Sequence, residues 1–310
     1  MLIDRLEKTL EGLDFSWELV LVDDGSRDAS VAVAQRELRG RPKLQAKLIS
    51  LSRNFGKEAA LTAGLQATQG DVVIPLDADL QDPPELIAEM VERWREGYDV
   101  VYGIRRRRQS DSLAKRCTAF VFYRLMGLLS NIEIPADTGD FRLMDRAVVD
   151  AIAQLPERSR FMKGLFAWVG FNRTSITYDR EDRSGGKSQW SYWKLWNFAL
   201  DGITSFSRAP LQVWSYAGVS IALLALIYGG WMIIRTLLFG VELPGYASLI
   251  TAVLFLGGIQ LIGLGILGEY LGRIFEEVKG RPLYLIRMSW RQEGKSNISR
   301  QDSELENRWA

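Results

Sequence analysis

Apolar and polar positions along the first hundred residues alternate between a helical and an extended period. Leu2, Ile3, Leu6 and Leu10 recur at helical spacing and end at Gly12, which predicts a helix over Met1 to Leu13. Trp17 to Val22 is a compact apolar run closing on Asp23-Asp24-Gly25-Ser26, and a helical stretch follows from Ser30 to about Leu38. The order repeats: strand Ala46 to Leu51, loop Arg53-Asn54-Phe55-Gly56-Lys57, then an alanine-rich helix to about Thr68. Asp71 to Leu76 is a third apolar run. It leads into Asp77-Ala78-Asp79-Leu80-Gln81-Asp82-Pro83-Pro84, a helix over Glu85 to Glu96 that starts on prolines, and a strand at Asp99 to Tyr102. Strands separated by helices predict an α/β fold with a mostly parallel sheet covered on both faces.

After Arg208 the pattern changes. No charged residue occurs from Ala209 through Ile234 or from Leu243 through Gly268. Each interval exceeds the roughly 20 apolar residues that span a bilayer, so two transmembrane helices are expected rather than the buried hairpin of a soluble core. Lys187, Lys194 and Arg208 precede the first span and Arg273, Lys279, Arg281 and Arg287 follow the second. Beyond Arg235 the connector Thr236 to Gly245 adds no basic residue, so the bias places both termini in the cytoplasm. Gln260 is expected to face a partner helix as a structural contact. Gly257, Gly258, Gly263, Gly265 and Gly268 allow close helix approach and make a homo-oligomer an expected state. Ser191 to Thr204 mixes Trp193, Trp196 and Phe198 with Lys194 and Asp201, which suits a membrane interface as well as core packing. The expected organisation is a catalytic domain over 1–189, an interfacial amphipathic segment over 190–208, two transmembrane helices within 209–270 and a cytoplasmic tail over 271–310.

Composition narrows the chemistry. Of 310 residues none is histidine and the formal charge is +1, so carboxylates must supply any acid, base or metal-ligating groups. The single Cys117 makes no intrachain disulfide, which points to a reducing compartment for the soluble part. A nucleic-acid partner is not expected, because the net charge is near zero and the run Arg105 to Arg108 lacks interleaved aromatics.

In α/β sheets ligands bind beyond the carboxyl ends of the strands, and both Asp23/Asp24 and Asp77/Asp79 fall at such ends. Asp77, Asp79 and Gln81 share one side if the chain stays extended, and offer oxygen ligands to a hard cation such as Mg²⁺ or Mn²⁺ that substrate phosphates would complete. A helix-capping acidic loop, with Asp82 as the cap, is the plainer alternative, and Asp23-Asp24-Gly25-Ser26 by itself reads equally well as a turn.

These segments, together with Arg53-Asn54-Phe55-Gly56-Lys57-Glu58-Ala59-Ala60 and Thr138-Gly139-Asp140-Phe141-Arg142, resemble the polyprenyl-phosphate glycosyltransferases of glycosyltransferase family two. The resemblance is closest to the GtrB-type glucosyltransferases, extends to the dolichyl-phosphate mannosyltransferases, and covers nearly the whole chain. It implies a GT-A (Rossmann-like) catalytic domain carrying a C-terminal transmembrane hairpin, seated in a bacterial inner (plasma) membrane. It further implies metal-dependent, inverting transfer of a hexose, with glucose favoured, from a UDP-sugar to undecaprenyl or dolichyl phosphate.

On that resemblance Asp23 and Asp24, with Gly25 and Ser26, contact the uridine, Asp77, Asp79 and Gln81 form the metal and diphosphate site, and Asp140 is the catalytic or acceptor-orienting acid. Lys57 joins the nucleotide-sugar site, and Arg183-Ser184-Gly185-Gly186-Lys187-Ser188 is similar to the family's basic loop over the diphosphate. Arg183, Lys187 and Ser188 in that glycine-bearing loop can move and oppose phosphate charge. Arg105, Arg124 and Arg208 are candidates for the lipid phosphate. The family pattern begins with an apolar strand ending in a Pro-x-Tyr-Asn-Glu-like motif, whereas this sequence opens in the following helix. The first strand and part of the uridine pocket are therefore expected to be missing.

The rivals are transfer of mannose or another sugar from a different nucleotide, a processive polysaccharide synthase, and a non-catalytic membrane scaffold. The synthase would show a Gln-x-x-Arg-Trp motif, which Gln212-Val213-Trp214 does not match. Intact Asp77, Asp79 and Asp140 argue against the scaffold.

Overall fold

The computed structural model describes residues 2–105, 138–158, 160–179, 207, 209–240 and 245–294. Helix α1 (Leu2–Leu10) buries Ile3, Leu6 and Leu10, the face read from their spacing, and stops before Gly12 at φ +96°. Then come β1 (Glu18–Asp23), α2 (Ser30–Arg39), β2 (Gln45–Leu51), α3 (Lys57–Ala67) and β3 (Val72–Val73). A 3-10 turn at Pro84–Leu86 opens α4 (Ile87–Arg95), followed by β4 (Val100–Arg105). Beyond these lie β5 (Thr138–Asp145), α5 (Arg146–Gln154), α6 (Met162–Trp168) and β6 (Arg173–Tyr178). Two long helices, α7 (Ala209–Phe239) and α8 (Tyr246–Lys279), precede β7 (Ile286–Gln292).

The described residues among 2–179 and 282–294 form one compact unit, and 207–281 form a second. In the first unit β1, β2 and β7 make one sheet, and β3, β5, β4 and β6, in that spatial order, make another. Pairs β1–β2 and β4–β6 are parallel, while β2–β7, β3–β5 and β4–β5 are antiparallel. The α/β class holds. The expected mostly parallel sheet becomes mixed because β5 and β7 lie outside the strand–helix alternation that produced the parallel reading. Helices cover both faces of the first sheet: Leu38 of α2 packs with Leu48 on one side, Ala63 of α3 with Ile49 and Leu51 on the other. Helices α1 and α4 cover the second sheet through Leu6, Leu10, Met90 and Val91 against Val101, Phe141 and Leu143.

The second unit is the hairpin α7–α8. At 31 and 34 residues these helices rise about 46 and 51 Å at 1.5 Å per residue, enough to cross a hydrocarbon layer of about 30 Å. Side chains such as Leu224, Leu226, Phe239, Leu254 and Leu261 are exposed along them, so they are not the core of a soluble fold. This is a membrane-anchored protein. A Cβ on Gly263 would lie 2.0 Å from Trp214 Nε1, so the indole seats directly on that glycine. Gly257, Gly258, Gly265 and Gly268 have nothing within 4 Å of such a Cβ, and Gln260 is exposed on the hairpin.

Candidate active site

At the carboxyl end of β1 the acidic pair is tied into its neighbours. Asp24 spends its two oxygens on the backbone N–H groups of Phe55 and Gly56, at 2.7 and 2.9 Å. Gly25 takes φ +70°, and a Cβ there would lie 2.3 Å from the carbonyl carbon of Arg53, so only glycine allows the two loops to touch. Asp23 accepts from the Ser26 N–H at 3.1 Å and from the Ser50 hydroxyl at 2.8 Å. Burial pushes its pKa up, but the Ser26 and Ser50 hydrogen bonds, with the charge of Arg287, outweigh this and hold it below the ordinary value. The loops after β1 and β2 are thus one assembly.

That assembly delivers α3, whose first residue is Lys57, preceded by Gly56 at φ +98°. The Lys57 ammonium sits between two carboxylates, 2.8 Å from Asp77 Oδ2 and 2.6 Å from Asp140 Oδ2. Burial draws the lysine pKa down, yet Asp140 and Asp77 push it up to about 12. Asp140 is raised by burial but falls below its ordinary value because Lys57 pairs with it. It is therefore ionised at neutral pH.

Asp140 owes its position to an irregular strand. Tyr102 pairs with Arg142 and Ile104 with Thr138, so Gly139, Asp140 and Phe141 face Gly103 alone, and the bulge re-aims the carboxylate. The buried Arg142 braces it, donating to the Gly139 carbonyl at 2.7 Å and lying 4.0 Å over the Phe166 ring. Gly103 is required because a Cβ there would lie 2.6 Å from Tyr178 Cε1.

The acidic loop departs from expectation. Regular pairing of the third strand is confined to Val72–Val73, and the chain turns at Ala78 and Asp79 with Leu80 at φ 58°, so it does not stay extended. The Gln81 N–H donates to Asp79 Oδ1 at 3.2 Å, and Gln81 is buried. Asp82 is buried as well and accepts from the Tyr178 hydroxyl, which anchors the loop to β6. As a sequence candidate for a helix cap it serves instead as this tether, since the turn at Pro84 shows no side-chain cap.

The structure thus brings Asp23, Gly25, Ser26, Asp24 and Lys57 into one loop assembly and joins Lys57 to Asp77 and Asp140. Arg105 closes β4, while Arg124, Arg183, Lys187, Ser188 and Arg208 lie outside the described residues, as does the Ser191 to Thr204 segment. Sequence reading missed three participants. Glu58 follows Lys57 inside a quoted motif. Its carboxylate accepts from the Met162 N–H at 3.3 Å, and burial, then the charge of Asp140, push its pKa up to about 7. Ser50 and Arg287 carried no local signal.

The chain is similar to known proteins over most of its length. A profile described as Glycosyl transferase family 2 matches residues 2–153, and one described as GtrB C-terminal hairpin matches residues 209–274. An uncharacterized glycosyltransferase of Synechocystis is 56% identical over 291 residues, 93% of this chain and 90% of the relative. The SfII prophage-derived bactoprenol glucosyl transferase of Shigella flexneri is 50% identical over 274 residues, 88% of each chain. A prophage bactoprenol glucosyl transferase homolog of Escherichia coli is 48% identical over 270 residues, 87% of this chain and 88% of the relative.

Proposed function

The chain belongs to glycosyl transferase family 2 and is a glycosyltransferase, and from that premise we propose that it transfers glucose from UDP-glucose to a polyprenyl phosphate. The observation that carries this reading is the Lys57 bridge, which puts Asp77, after the third apolar run, and Asp140, on the bulged β5, within reach of one ammonium group. A donor diphosphate and an acceptor phosphate could meet across so short a span. Glucose and the polyprenyl acceptor are supported by the bactoprenol glucosyl transferases that share about half of its residues. The two apolar helices supply the anchorage that a lipid acceptor demands. By the positive residues flanking them, the catalytic unit faces the cytoplasm.

In the reaction an oxygen of the acceptor phosphate attacks the anomeric carbon. The bond from that carbon to the diphosphate oxygen breaks, UDP departs, and the configuration inverts. The phosphate monoester is already anionic near neutral pH and needs no strong base. Asp140, ionised and held by Lys57, is better suited to orienting the acceptor than to taking a proton. Asp23 would receive the uridine. Arg183, Lys187 and Ser188 would close on the diphosphate, while Arg105, Arg124 and Arg208 are the candidate contacts of the lipid phosphate.

Among the described residues no three acidic or cysteine side chains converge into a ready-made metal cage. The turn over 78–80 and the burial of Gln81 remove the extended arrangement that put three donors on one side. The carboxylates of Asp77 and Asp79 are therefore the groups that would hold Mg²⁺ or Mn²⁺, ions that take one or two carboxylates and complete their shell with phosphate oxygens. Bound there, the ion would supply charge stabilisation for the leaving diphosphate. The test is turnover of UDP-glucose with a polyprenyl phosphate in detergent, with and without EDTA. Glucosyl transfer that EDTA abolishes is expected. Transfer that persists without metal rejects the role given to Asp77 and Asp79, and exclusive use of another nucleotide sugar rejects glucose.

A further inference from the structure

We propose that Arg287, on the strand that follows the second apolar helix, is a positioning residue for the donor nucleotide, fixing the Asp23 carboxylate through the hydroxyl of Ser50. The inference rests on the reading of Asp23 as a uridine contact and adds to it a residue from the far end of the chain. Along the sequence Arg287 is one of several positive charges after the apolar segment. In the fold β7 returns to pair with β2, next to the strand that carries Asp23.

The pairing is irregular at one place. Ser50 faces Met288 and Leu51 faces Ile286, so the register skips Arg287 and leaves it as the extra residue of a bulge. A bulge bends the strand and re-aims a side chain, and here the guanidinium of the exposed Arg287 reaches Ser50, Nη2 donating to Oγ at 3.1 Å. Ser50 is fully buried, and its hydroxyl donates a hydrogen bond to Asp23 Oδ2 at 2.8 Å. A hydroxyl has one proton to donate, and because the guanidinium is a donor only, it occupies a lone pair of Ser50 Oγ and leaves that proton for the carboxylate. Asp23 keeps further lone pairs beyond those taken by Ser26 and Ser50, so an N–H or O–H of a nucleoside can still bind it.

The tail is held firmly enough to perform this task. Gln292 Nε2 donates to the carbonyls of Leu38, Arg41 and Leu44 at 3.2, 2.7 and 3.1 Å, beside the end of α2. The Tyr284 hydroxyl donates to Gln66 Oε1 at 2.6 Å, and the Ser52 N–H donates to the Leu285 carbonyl at 2.8 Å. These contacts secure β7 on both sides of Arg287 and do not involve its side chain. Removing the guanidinium should therefore leave the strand in place.

The experiment measures binding of UDP with Mg²⁺ by calorimetry to the full chain in detergent, for Arg287→Ala, Arg287→Lys and Asp23→Asn, with transfer kinetics alongside. Arg287→Ala should weaken UDP about three- to tenfold, the worth of one hydrogen-bonded link, and raise the donor KM while kcat is kept. The acid limb of its binding profile should move to higher pH, because Asp23 has lost a positive neighbour, and Arg287→Lys should restore most of the affinity. Its melting temperature without ligand should fall by no more than about 2 °C. If Asp23→Asn loses UDP and Arg287→Ala does not, the inference is overturned and the uridine reading stands. If Asp23→Asn binds UDP like the wild type, the uridine reading itself falls and takes the inference with it. A loss of affinity in Arg287→Ala that merely tracks a lower melting temperature also overturns it.

Discussion

Replacing Lys57 by methionine separates the two duties that the bridge combines. The side chain keeps its length, and the ammonium that faces Asp77 and Asp140 is lost. Lys57 is 54% exposed and Asp77 41%, so their pair is a screened surface pair, about 0.2–1 kcal/mol. Asp140 is only 20% exposed, and its charge-assisted bond is of the order of 1–2 kcal/mol. Stability should fall by about 1–3 kcal/mol, well inside the 5–15 kcal/mol typical of a domain, so the variant folds. The sign with pH follows from Asp140, whose folded pKa lies below its unfolded value. Its contribution is present above the unfolded value and fades as pH falls through the folded one, so wild type and variant should converge in acid. Function should suffer more. With two carboxylates facing each other unneutralised, we expect kcat/KM for glucosyl transfer to drop about 100-fold, near 3 kcal/mol of transition-state stabilisation. Mg²⁺ titrated in the absence of donor should bind more tightly, because Asp77 no longer has a competing cation. Full transfer activity with unchanged Mg²⁺ dependence would refute the reasoning, and so would a stability loss large enough to unfold the chain.

Two further substitutions probe the loops around this bridge. Gly25→Ala forces a Cβ against the Arg53 backbone at a φ of +70° and should destabilise the chain by about 2–4 kcal/mol while abolishing UDP binding; thermal unfolding within about 0.5 kcal/mol of wild type would show that the loops do not meet as described. Glu58→Gln tests the raised carboxyl. Since the folded group keeps its proton up to about pH 7 and the unfolded one only to 4.5, wild-type stability falls as pH rises between those values. The glutamine variant should lack that slope and be about 1–3 kcal/mol more stable at pH 8, measured by denaturation across pH.

Local pattern made much of the catalytic unit legible. The helix at Leu2–Leu10, the strands ending at Asp23 and Leu51 and the helix starting at Lys57 all follow from apolar spacing and a glycine or acidic stop. What escaped was long-range. Strand β7 lies beyond the apolar hairpin, and Trp290 and Met288 gain their meaning only from packing beside Leu48 and Leu38. The reach of Arg287 to Ser50 depends on a register skip that no window of the sequence displays. Asp140 was legible through its motif, but its aim depends on a bulge opposite Gly103 and on the buried Arg142 that holds the Gly139 carbonyl. The turn at Leu80 was hidden because nothing in leucine announces a left-handed backbone.

The partners of the acidic residues divide them by task. Asp24 is met by two backbone N–H groups, Asp82 by the hydroxyl of Tyr178, Asp145 by the Ala147 N–H and the Trp94 indole, and Glu18 by the Gly70 N–H. Such partners are fixed by the fold, and these carboxylates hold loops. Asp77 and Asp140 are met instead by the tip of a half-exposed lysine, whose four rotatable carbons let it withdraw at little cost when a substrate or cation takes its place. Asp23 stands between the classes, because its partners are fixed but leave lone pairs over. An acid whose partner can leave is available for chemistry, and an acid whose partner cannot is available for architecture. By that criterion we propose that the reacting centre lies between Asp77 and Asp140, with Asp24, whose two oxygens hold the Phe55 and Gly56 N–H groups, in the frame that carries Lys57.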